Sequence, residues 1–264
     1  MSDQRYIRLD VAYRGTNYCG WQRQGAYPTV QGEIEAALHR IVGNPVVIRG
    51  SSRTDTGVHA LHQVATFYTS ATIPAEHFAP ALNANLPQDI RILRSAKIAQ
   101  DFDPIGNCTR KRYCYLIDDM PVLSPFLIGA VWDYRFGMLD AEAMHVAAQA
   151  FLGEHDFVSF QSEGSPRRST VRTIFDVSVH RRTMPLPFGS LTTFSENEQQ
   201  VIVLEVEGNG FLYKMVRTMV GTLMAVGCGK RPVDEIAEII AAKDRCTAGI
   251  TAPPQGLYLA SITF

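Results

Sequence analysis

Apolar and polar positions form distinct periods in the first hundred residues. Every second residue from Ile7 to Tyr13 is apolar, which predicts a strand with one buried face. From Val30 to Ile41 the apolar residues recur at a helical spacing, and Thr29 stands where an N-cap is expected. An apolar run at 46–48 and a largely apolar segment at 62–68 predict two more strands, and Pro74 opens a second helix. The order strand, helix, strand, strand, helix is that of a split βαβ unit.

The rest of the chain repeats this order loosely. The predicted strands lie at 112–118, 130–136, 171–179, 201–206 and 257–264. The predicted helices begin at Asp140, at Phe211 and at Pro232. We therefore expect an α+β fold of two ferredoxin-like, or RRM-like, halves with mainly antiparallel sheets. The expected domains are residues 1–104 and 105–264, with an active-site cleft between them, since a cleft between two such halves is a natural ligand site.

The overall charge says little about a partner, but its distribution says more. The chain has 25 basic and 26 acidic residues, for a net charge of −1. Basic residues cluster at 110–112, at 167–172 and at 181–182, whereas acidic residues gather elsewhere. A protein with this segregation can present one basic face to a nucleic acid despite a nearly neutral total.

Several classes of protein are disfavoured by the composition. The sequence contains no run of about 18 or more apolar residues, so we expect no membrane span. The first residues lack an apolar signal core, and we expect a cytoplasmic protein. The five cysteines form no C-x-x-C pair, which argues against a disulfide framework or a zinc site.

A polar segment, residues 51–57, stands between two apolar ones and is the strongest candidate for chemistry. An aspartate beside threonine and glycine, as at Asp55, is typical of an Asx turn. However, Arg53 and Asp55 are two residues apart and would face the same side of an extended chain. An arginine near a carboxylate keeps it ionised, and such a carboxylate serves as a nucleophile or a base. From these residues alone, a structural turn and a catalytic site both stay open.

Two other functions remain compatible with this segment. Asp55, His59 and His62 would form the metal site of a phosphohydrolase if the stretch were helical, but Gly57 and the flanking β-like sequence oppose a helix. We therefore expect no metal. A non-catalytic RNA-binding factor would use the basic clusters alone and would not need Asp55.

Longer motifs, around residues 51–57 and elsewhere along the chain, resemble those of a known family. The sequence Arg53-Thr54-Asp55-x-Gly57-Val58-His59-Ala60 resembles the signature of the tRNA pseudouridine synthase A family. Further similar segments follow in the family's order along nearly the whole chain: Tyr13-x-Gly15, Gly20-Trp21-Gln22, Leu86-Pro87-x-Asp89, Arg112-Tyr113-x-Tyr115, Gly153-x-His155-Asp156-Phe157, Gly208-Asn209-x-Phe211, Met215-Val216-Arg217 and Thr251-Ala252-Pro253-Pro254-x-Gly256-Leu257.

The resemblance implies roles for individual side chains. Asp55 matches the catalytic aspartate, and Arg217 matches the arginine that pairs with it. Tyr113 matches the active-site tyrosine that packs against the target base and can serve in proton transfer. Arg53 matches a residue linked to flipping the nucleotide out of its stack, and Leu257 matches a residue lining the base pocket.

The resemblance also implies a substrate and an assembly. The family isomerises uridine in the anticodon stem-loop of tRNA, at positions 38 to 40, as a homodimer and without a cofactor. Contacts with RNA phosphates then fall to basic residues, and we expect Arg110, Lys111 and Arg168 to make them.

The chain departs from the family pattern in three places. Ser52 stands where glycine is usual, and Thr56 where alanine is usual. Residues 102–105 read Phe-Asp-Pro-Ile instead of Phe-His-Ala-Arg, so we expect that region to lack a basic contact to RNA.

Overall fold

The computed structural model describes residues 4–162, 164, 169–184 and 199–264. The strands are β1 (Arg5–Tyr13), β2 (Arg49–Gly50), β3 (His59–Thr69), β4 (Ile90–Lys97), β5 (Arg110–Asp118), β6 (Trp132–Asp133), β7 (Gly153–Asp156), β8 (Val171–Met184), β9 (Gln199–Gly208) and β10 (Leu257–Thr263). The α-helices are α1 (Val30–Val42), α2 (Phe78–Asn83), α3 (Ala141–Ala148), α4 (Met215–Gly227) and α5 (Glu235–Ala242). Within the described ranges, no helix is long and apolar enough to cross a membrane.

The chain divides into two compact units. The first unit is Met1–Lys111 with Tyr258–Phe264, and the second is Arg112–Leu257. All of the last strand, β10, except its first residue Leu257, therefore belongs to the first unit. The expected division into residues 1–104 and 105–264 as domains stays a prediction.

The first unit has the β-α-β-β-α-β succession of a ferredoxin-like fold. Its strands lie in the order β4-β1-β3-β2, with antiparallel pairing throughout, and β10 pairs in parallel with the start of β3. Thr29 accepts a hydrogen bond from the Gly32 N–H and caps α1, and Gly43 ends that helix with φ 77°. The sheet packs on its helices, as when Phe67 of β3 meets Phe78 of α2 edge-on at 5.3 Å.

One strand prediction in this unit was wrong, and one strand was not predicted. Residues 46–48 form no strand, and β2 contains only the next two residues, Arg49 and Gly50. Strand β4 was missed altogether. Its burial pattern is irregular because Leu93 and Arg94 are both exposed, and the register of β1 against β4 shifts between Asp10 and Val11. A bulge of this kind removes the period of two on which strand prediction depends.

The second unit carries strands in the order β5-β9-β8-β7, with β6 parallel to β5. Asp140 caps α3, as expected, by accepting a hydrogen bond from the Ala143 N–H at 2.9 Å. Helix α4 begins at Met215 rather than at Phe211, because Lys214 adopts a left-handed conformation with φ 59°. The predicted strand at 130–136 shrinks to the two residues of β6. The structure contains both helices and strands, and the strands pair mainly antiparallel. The α+β fold class is therefore confirmed.

Candidate active site

The candidate site centres on residues Ser51–Val58, which we call the Asp55 loop and which connects β2 to β3. A hydrogen bond from the Val58 N–H to the Asp55 carbonyl closes a turn, and Gly57 in this turn has φ 79°. Burial alternates before the turn: Arg53 is exposed, Thr54 is buried and Asp55 is half-buried. This alternation agrees with the expectation that Arg53 and Asp55 project to the same side.

Residues 13–22, here called the N-terminal motif, fix the backbone of this loop. The Trp21 N–H donates to the Thr54 carbonyl at 3.1 Å, and the Gly57 N–H donates to the Tyr18 carbonyl at 3.3 Å. The Tyr13 hydroxyl lies 2.8 Å from Thr54 Oγ1 in a buried hydrogen bond. The residues on both sides of Asp55 are therefore held by partners outside the loop.

Two glycines of the same motif permit this close approach. A Cβ atom at Gly20 would lie 2.5 Å from the Thr54 carbonyl oxygen, and Gly20 also has φ 83°. A Cβ atom at Gly15 would overlap the Val58 carbonyl. In the sequence the spacing Tyr13-x-Gly15 with Gly20-Trp21 is only a family resemblance, and in the structure these residues hold the Asp55 loop.

The other end of the loop is anchored to β3 and β5. Gln63, whose side chain is fully buried, donates from Nε2 to the Ser52 carbonyl at 2.7 Å. The ammonium of Lys111 donates to the Ser51 carbonyl at 3.0 Å and lies 3.4 Å from Ser52 Oγ. From the sequence we expected Lys111 to contact RNA phosphates. Gln63 was not predicted, and the only signal for it in the sequence is its place just after the loop, on a largely apolar strand.

The two histidines after the loop have other partners than a metal. His59 is 2% exposed, its Nδ1 accepts a hydrogen bond from the Gly15 N–H at 2.9 Å, and its ring stacks on Tyr258. His62 Nε2 lies 3.3 Å from Asp10 Oδ1. In the parts of the chain that the structure describes, no group of three His, Cys, Asp or Glu side chains is arranged to hold a metal ion. The geometry gives no support to a metal-dependent phosphohydrolase.

In the second unit, Tyr113 lies on β5 with 7% of its surface exposed. Its ring meets Phe211 edge-on, with centroids 5.1 Å apart. Tyr115 lies on the same face and packs in the core, and its hydroxyl donates to the Pro253 carbonyl at 2.7 Å. Burial raises the pKa of Tyr115, and the charge of Arg217 partly opposes this rise.

Arg217 lies on α4, where the segment Ala248–Leu257, here called the closing segment, holds it. Its Nε donates to the Ala252 carbonyl at 2.7 Å, and the Ala252 N–H donates to the Arg217 carbonyl at 3.0 Å. A Cβ atom at Gly221 would overlap the Ile250 carbonyl, so glycine is needed for this contact between helix and segment. Leu257, at the end of the closing segment, is buried.

The basic residues predicted to bind RNA divide into several environments. Arg110 is exposed at the start of β5. The neighbouring Arg112 instead pairs with Glu207 and Asp176, at 3.2 and 3.0 Å. Arg168 lies outside the described residues.

The last basic cluster, at 181–182, is also tied to carboxylates. Arg181 binds both oxygens of the buried Asp119 at 2.7 Å, and Arg182 lies 3.4 Å from Glu205. Arg112, Arg181 and Arg182 are thus paired with carboxylates of the protein. The basic face is therefore smaller than the three basic clusters of the sequence indicated.

The departure at residues 102–105 forms a self-contained turn. Asp103 Oδ1 accepts the Ile105 N–H at 2.9 Å, and Arg49 pairs with the same carboxylate at 3.1 Å. The backbone N–H groups of Ile105 and Gly106, together with Arg49, lower the pKa of Asp103. The carboxylate therefore stabilises its own turn and the end of β2.

Comparison with known proteins gives concordant results. The family model described as tRNA pseudouridine synthase matches residues 11–104 and 147–264. The tRNA pseudouridine synthase A of Thermoanaerobacter sp. (strain X514) is 42% identical over 260 residues, which cover 98% of this chain and 100% of the relative. The tRNA pseudouridine synthase A of Acetivibrio thermocellus is 44% identical with the same coverage. Among solved structures, a chain of an H/ACA RNP bound to a substrate RNA containing 2′-deoxyuridine aligns at 10% identity with a TM-score of 0.32, over 83% of this chain and 53% of that one.

Proposed function

Because this chain belongs to the tRNA pseudouridine synthase family, we propose that it isomerises uridine to pseudouridine in tRNA with Asp55 as the catalytic group. The observation that carries the proposal is the setting of Asp55, a half-buried carboxylate on a loop whose neighbouring residues are anchored on both sides. Such an arrangement holds a reactive group in place while leaving it accessible to a substrate.

The reaction needs no cofactor because it is balanced within the substrate. The bond between N1 and C1′ of uridine breaks, C5 bonds to C1′, the C5 proton leaves to solvent and N1 gains a proton. The carboxylate of Asp55 attacks C1′, attacks C6 or removes the proton from C2′, and all three routes require it beside the flipped nucleotide. No oxidation or reduction occurs in any of them.

We propose that four further side chains take the roles that the family's motifs imply for them. Tyr113 supplies an aromatic face for the target base, and its edge-on contact with Phe211 supports that role by fixing the ring. Arg217 pairs with Asp55, Arg53 assists base flipping, and Leu257 lines the base pocket. The hydrogen bond from Arg217 to the closing segment supports the assignment because it orients the guanidinium.

The same proposal covers the RNA and the assembly. Extrusion of a stacked base costs a few kcal/mol, which contacts with phosphates must offset. Arg110 and Arg168 serve as such contacts to the anticodon stem-loop, with uridines at positions 38 to 40 as targets. We further propose that the enzyme acts as a homodimer in the cytoplasm.

The experiment is release of tritium from tRNA labelled at uridine C5. The wild-type protein is expected to release label to water, and carbodiimide mapping should place the new pseudouridines at positions 38 to 40. A wild-type protein that binds this tRNA but releases no tritium would be a non-catalytic RNA-binding factor, and the proposal would fail.

A further inference from the structure

Three consecutive basic residues at the start of β5 have three different surroundings. Arg110 is exposed, and Arg112 pairs with Glu207 and Asp176. Lys111, between them, is half-buried and extends its ammonium to the Asp55 loop. The sequence presents these residues as one cluster, but only Arg110 has the exposure typical of a phosphate contact.

The contact of Lys111 with the loop engages two successive residues. Its Nζ lies 3.0 Å from the carbonyl oxygen of Ser51 and 3.4 Å from the hydroxyl of Ser52. Both serines are buried, so these oxygens lie where water is largely excluded. An ammonium has three donors, and a hydrogen bond that it donates is stronger than one between neutral groups.

The oxygen atoms that Lys111 contacts belong to residues just before Arg53 and Asp55 in the chain. Ser51 and Ser52 immediately precede Arg53, and Asp55 follows two residues later. The downstream part of the loop is fixed by Tyr18 and Trp21, whereas the upstream part is fixed by Gln63 and by Lys111. Ser52 contributes a side-chain acceptor that a glycine at this position would not have.

We propose that Lys111 is a positioning residue that holds the Asp55 loop through Ser51 and Ser52, and that it does not contact RNA phosphate. The inference rests on the proposed function, since it assigns Lys111 to the support of the proposed catalytic carboxylate. Loss of the ammonium releases the upstream end of the loop and moves Asp55 away from its productive position.

The two roles make different kinetic predictions. A displacement of about 1 Å in a reacting group lowers kcat by up to about 100-fold. The Lys111→Met protein should therefore show a kcat reduced about 10- to 100-fold, with an unchanged KM for tRNA and an unchanged salt dependence. A lost phosphate contact would instead raise KM with kcat preserved, and would reduce the slope of log K against log salt by about 1.

Matched variants make the kinetic test decisive. Lys111→Arg should restore most of kcat because it returns a cationic donor. Lys97→Met removes an exposed lysine from β4 and should change neither parameter. Ser52→Gly should lower kcat less than Lys111→Met does, because it removes only the contact with Ser52 Oγ. It should add little when combined with Lys111→Met, which already removes that contact. A raised KM with normal kcat in Lys111→Met, or full additivity of the pair, overturns the proposal.

A measurement independent of catalysis separates this inference from the proposed function. Amide hydrogen exchange across residues 51–58 should be faster in Lys111→Met than in the wild type or in Lys97→Met. If the wild type releases no tritium, the proposed function fails, and exchange alone decides the role of Lys111. Unchanged exchange in this loop overturns the positioning role whatever the activity.

Discussion

Asp55 and Asp119 are both aspartates of the described chain, but the fold uses them differently. The side chain of Asp119 is fully buried, and Arg181 binds both of its oxygens at 2.7 Å. The Leu139 N–H adds a further bond at 2.8 Å. Asp55 is half-buried on a turn, and hydrogen bonds of the neighbouring residues Thr54 and Gly57 anchor that turn to the rest of the unit.

The difference shows how a structural carboxylate is distinguished from one available for chemistry. Both oxygens of Asp119 are occupied by protein donors, so its charge stabilises the fold. In the Asp55 loop, hydrogen bonds of the backbone and of Thr54 hold the turn, and the half-buried Asp55 side chain keeps part of its surface open to a substrate. Substitution of Asp119 should therefore lower stability and largely preserve activity. Substitution of Asp55 should abolish activity and largely preserve stability.

The largest loss of stability is expected at Asp119. The Asp119→Asn protein leaves Arg181 without its bidentate partner, and breaking such a pair lowers the free energy of unfolding by about 3 kcal/mol. Urea denaturation measures this change. Asp101→Asn, at an exposed position, is the control and should stay within about 0.5 kcal/mol of the wild type. Equal stability of the two variants would contradict a structural role for Asp119.

The same pair predicts a pH dependence. Burial acts to raise the pKa of Asp119, but the bonds from Arg181 and from the Leu139 N–H outweigh it and hold that pKa below its ordinary value of 3.8. A lowered folded-state pKa gives stability that is complete above the unfolded value and disappears as pH falls through the folded value. The stability difference between wild type and Asp119→Asn should thus be constant from neutral pH to about 5 and shrink below about 4. A difference that grows in acid would refute this assignment.

The next largest effect is expected where the N-terminal motif touches the Asp55 loop. Gly20→Ala places a Cβ atom 2.5 Å from the Thr54 carbonyl at φ 83°, and should lower the free energy of unfolding by about 2 kcal/mol. Gly25→Ala is the matched control, since Gly25 also has a positive φ but has open space around it. It should lose about 1 kcal/mol or less. Similar losses in both proteins would show that backbone strain, not the contact with the loop, matters at Gly20.

A smaller effect is expected from a single hydroxyl. Tyr13→Phe removes the hydrogen bond to Thr54 Oγ1 and should lower the free energy of unfolding by about 1 kcal/mol. Tyr27→Phe, at a tyrosine that is 69% exposed, should have no measurable effect in the same denaturation experiment. If Tyr13→Phe is equally silent, the buried bond does not stabilise the loop.

The sequence predicted most of the fold because its periods are regular in α1, β1 and α3, where a polar N-cap or strict alternation marks each boundary. It missed β4, whose alternation is broken by a bulge opposite β1. It also placed the start of α4 four residues early, because the apolar stripe continues through Phe211 while the left-handed Lys214 interrupts the backbone.

For the candidate site, the sequence indicated Asp55 but not what surrounds it. The hydrogen bonds from Trp21 and Gln63 join residues distant along the chain, and no local pattern encodes them. Charge clustering was similarly misleading at Arg112 and Arg181, because the carboxylates that pair with them are also far away in sequence. Long-range pairing therefore has to be seen in the fold.

The most direct test of the account combines stability and activity at Asp55. The Asp55→Asn protein should unfold within about 0.5 kcal/mol of the wild type, the smallest change in this series, because asparagine has nearly the same size and shape as the half-buried aspartate. In single-turnover reactions with saturating enzyme, its rate of pseudouridine formation in tRNA should fall by at least about 1,000-fold. Asp119→Asn, assayed where it remains folded, should retain most of the wild-type rate. An Asp55→Asn protein that forms pseudouridine at the wild-type rate would contradict the assignment of Asp55 as the catalytic group.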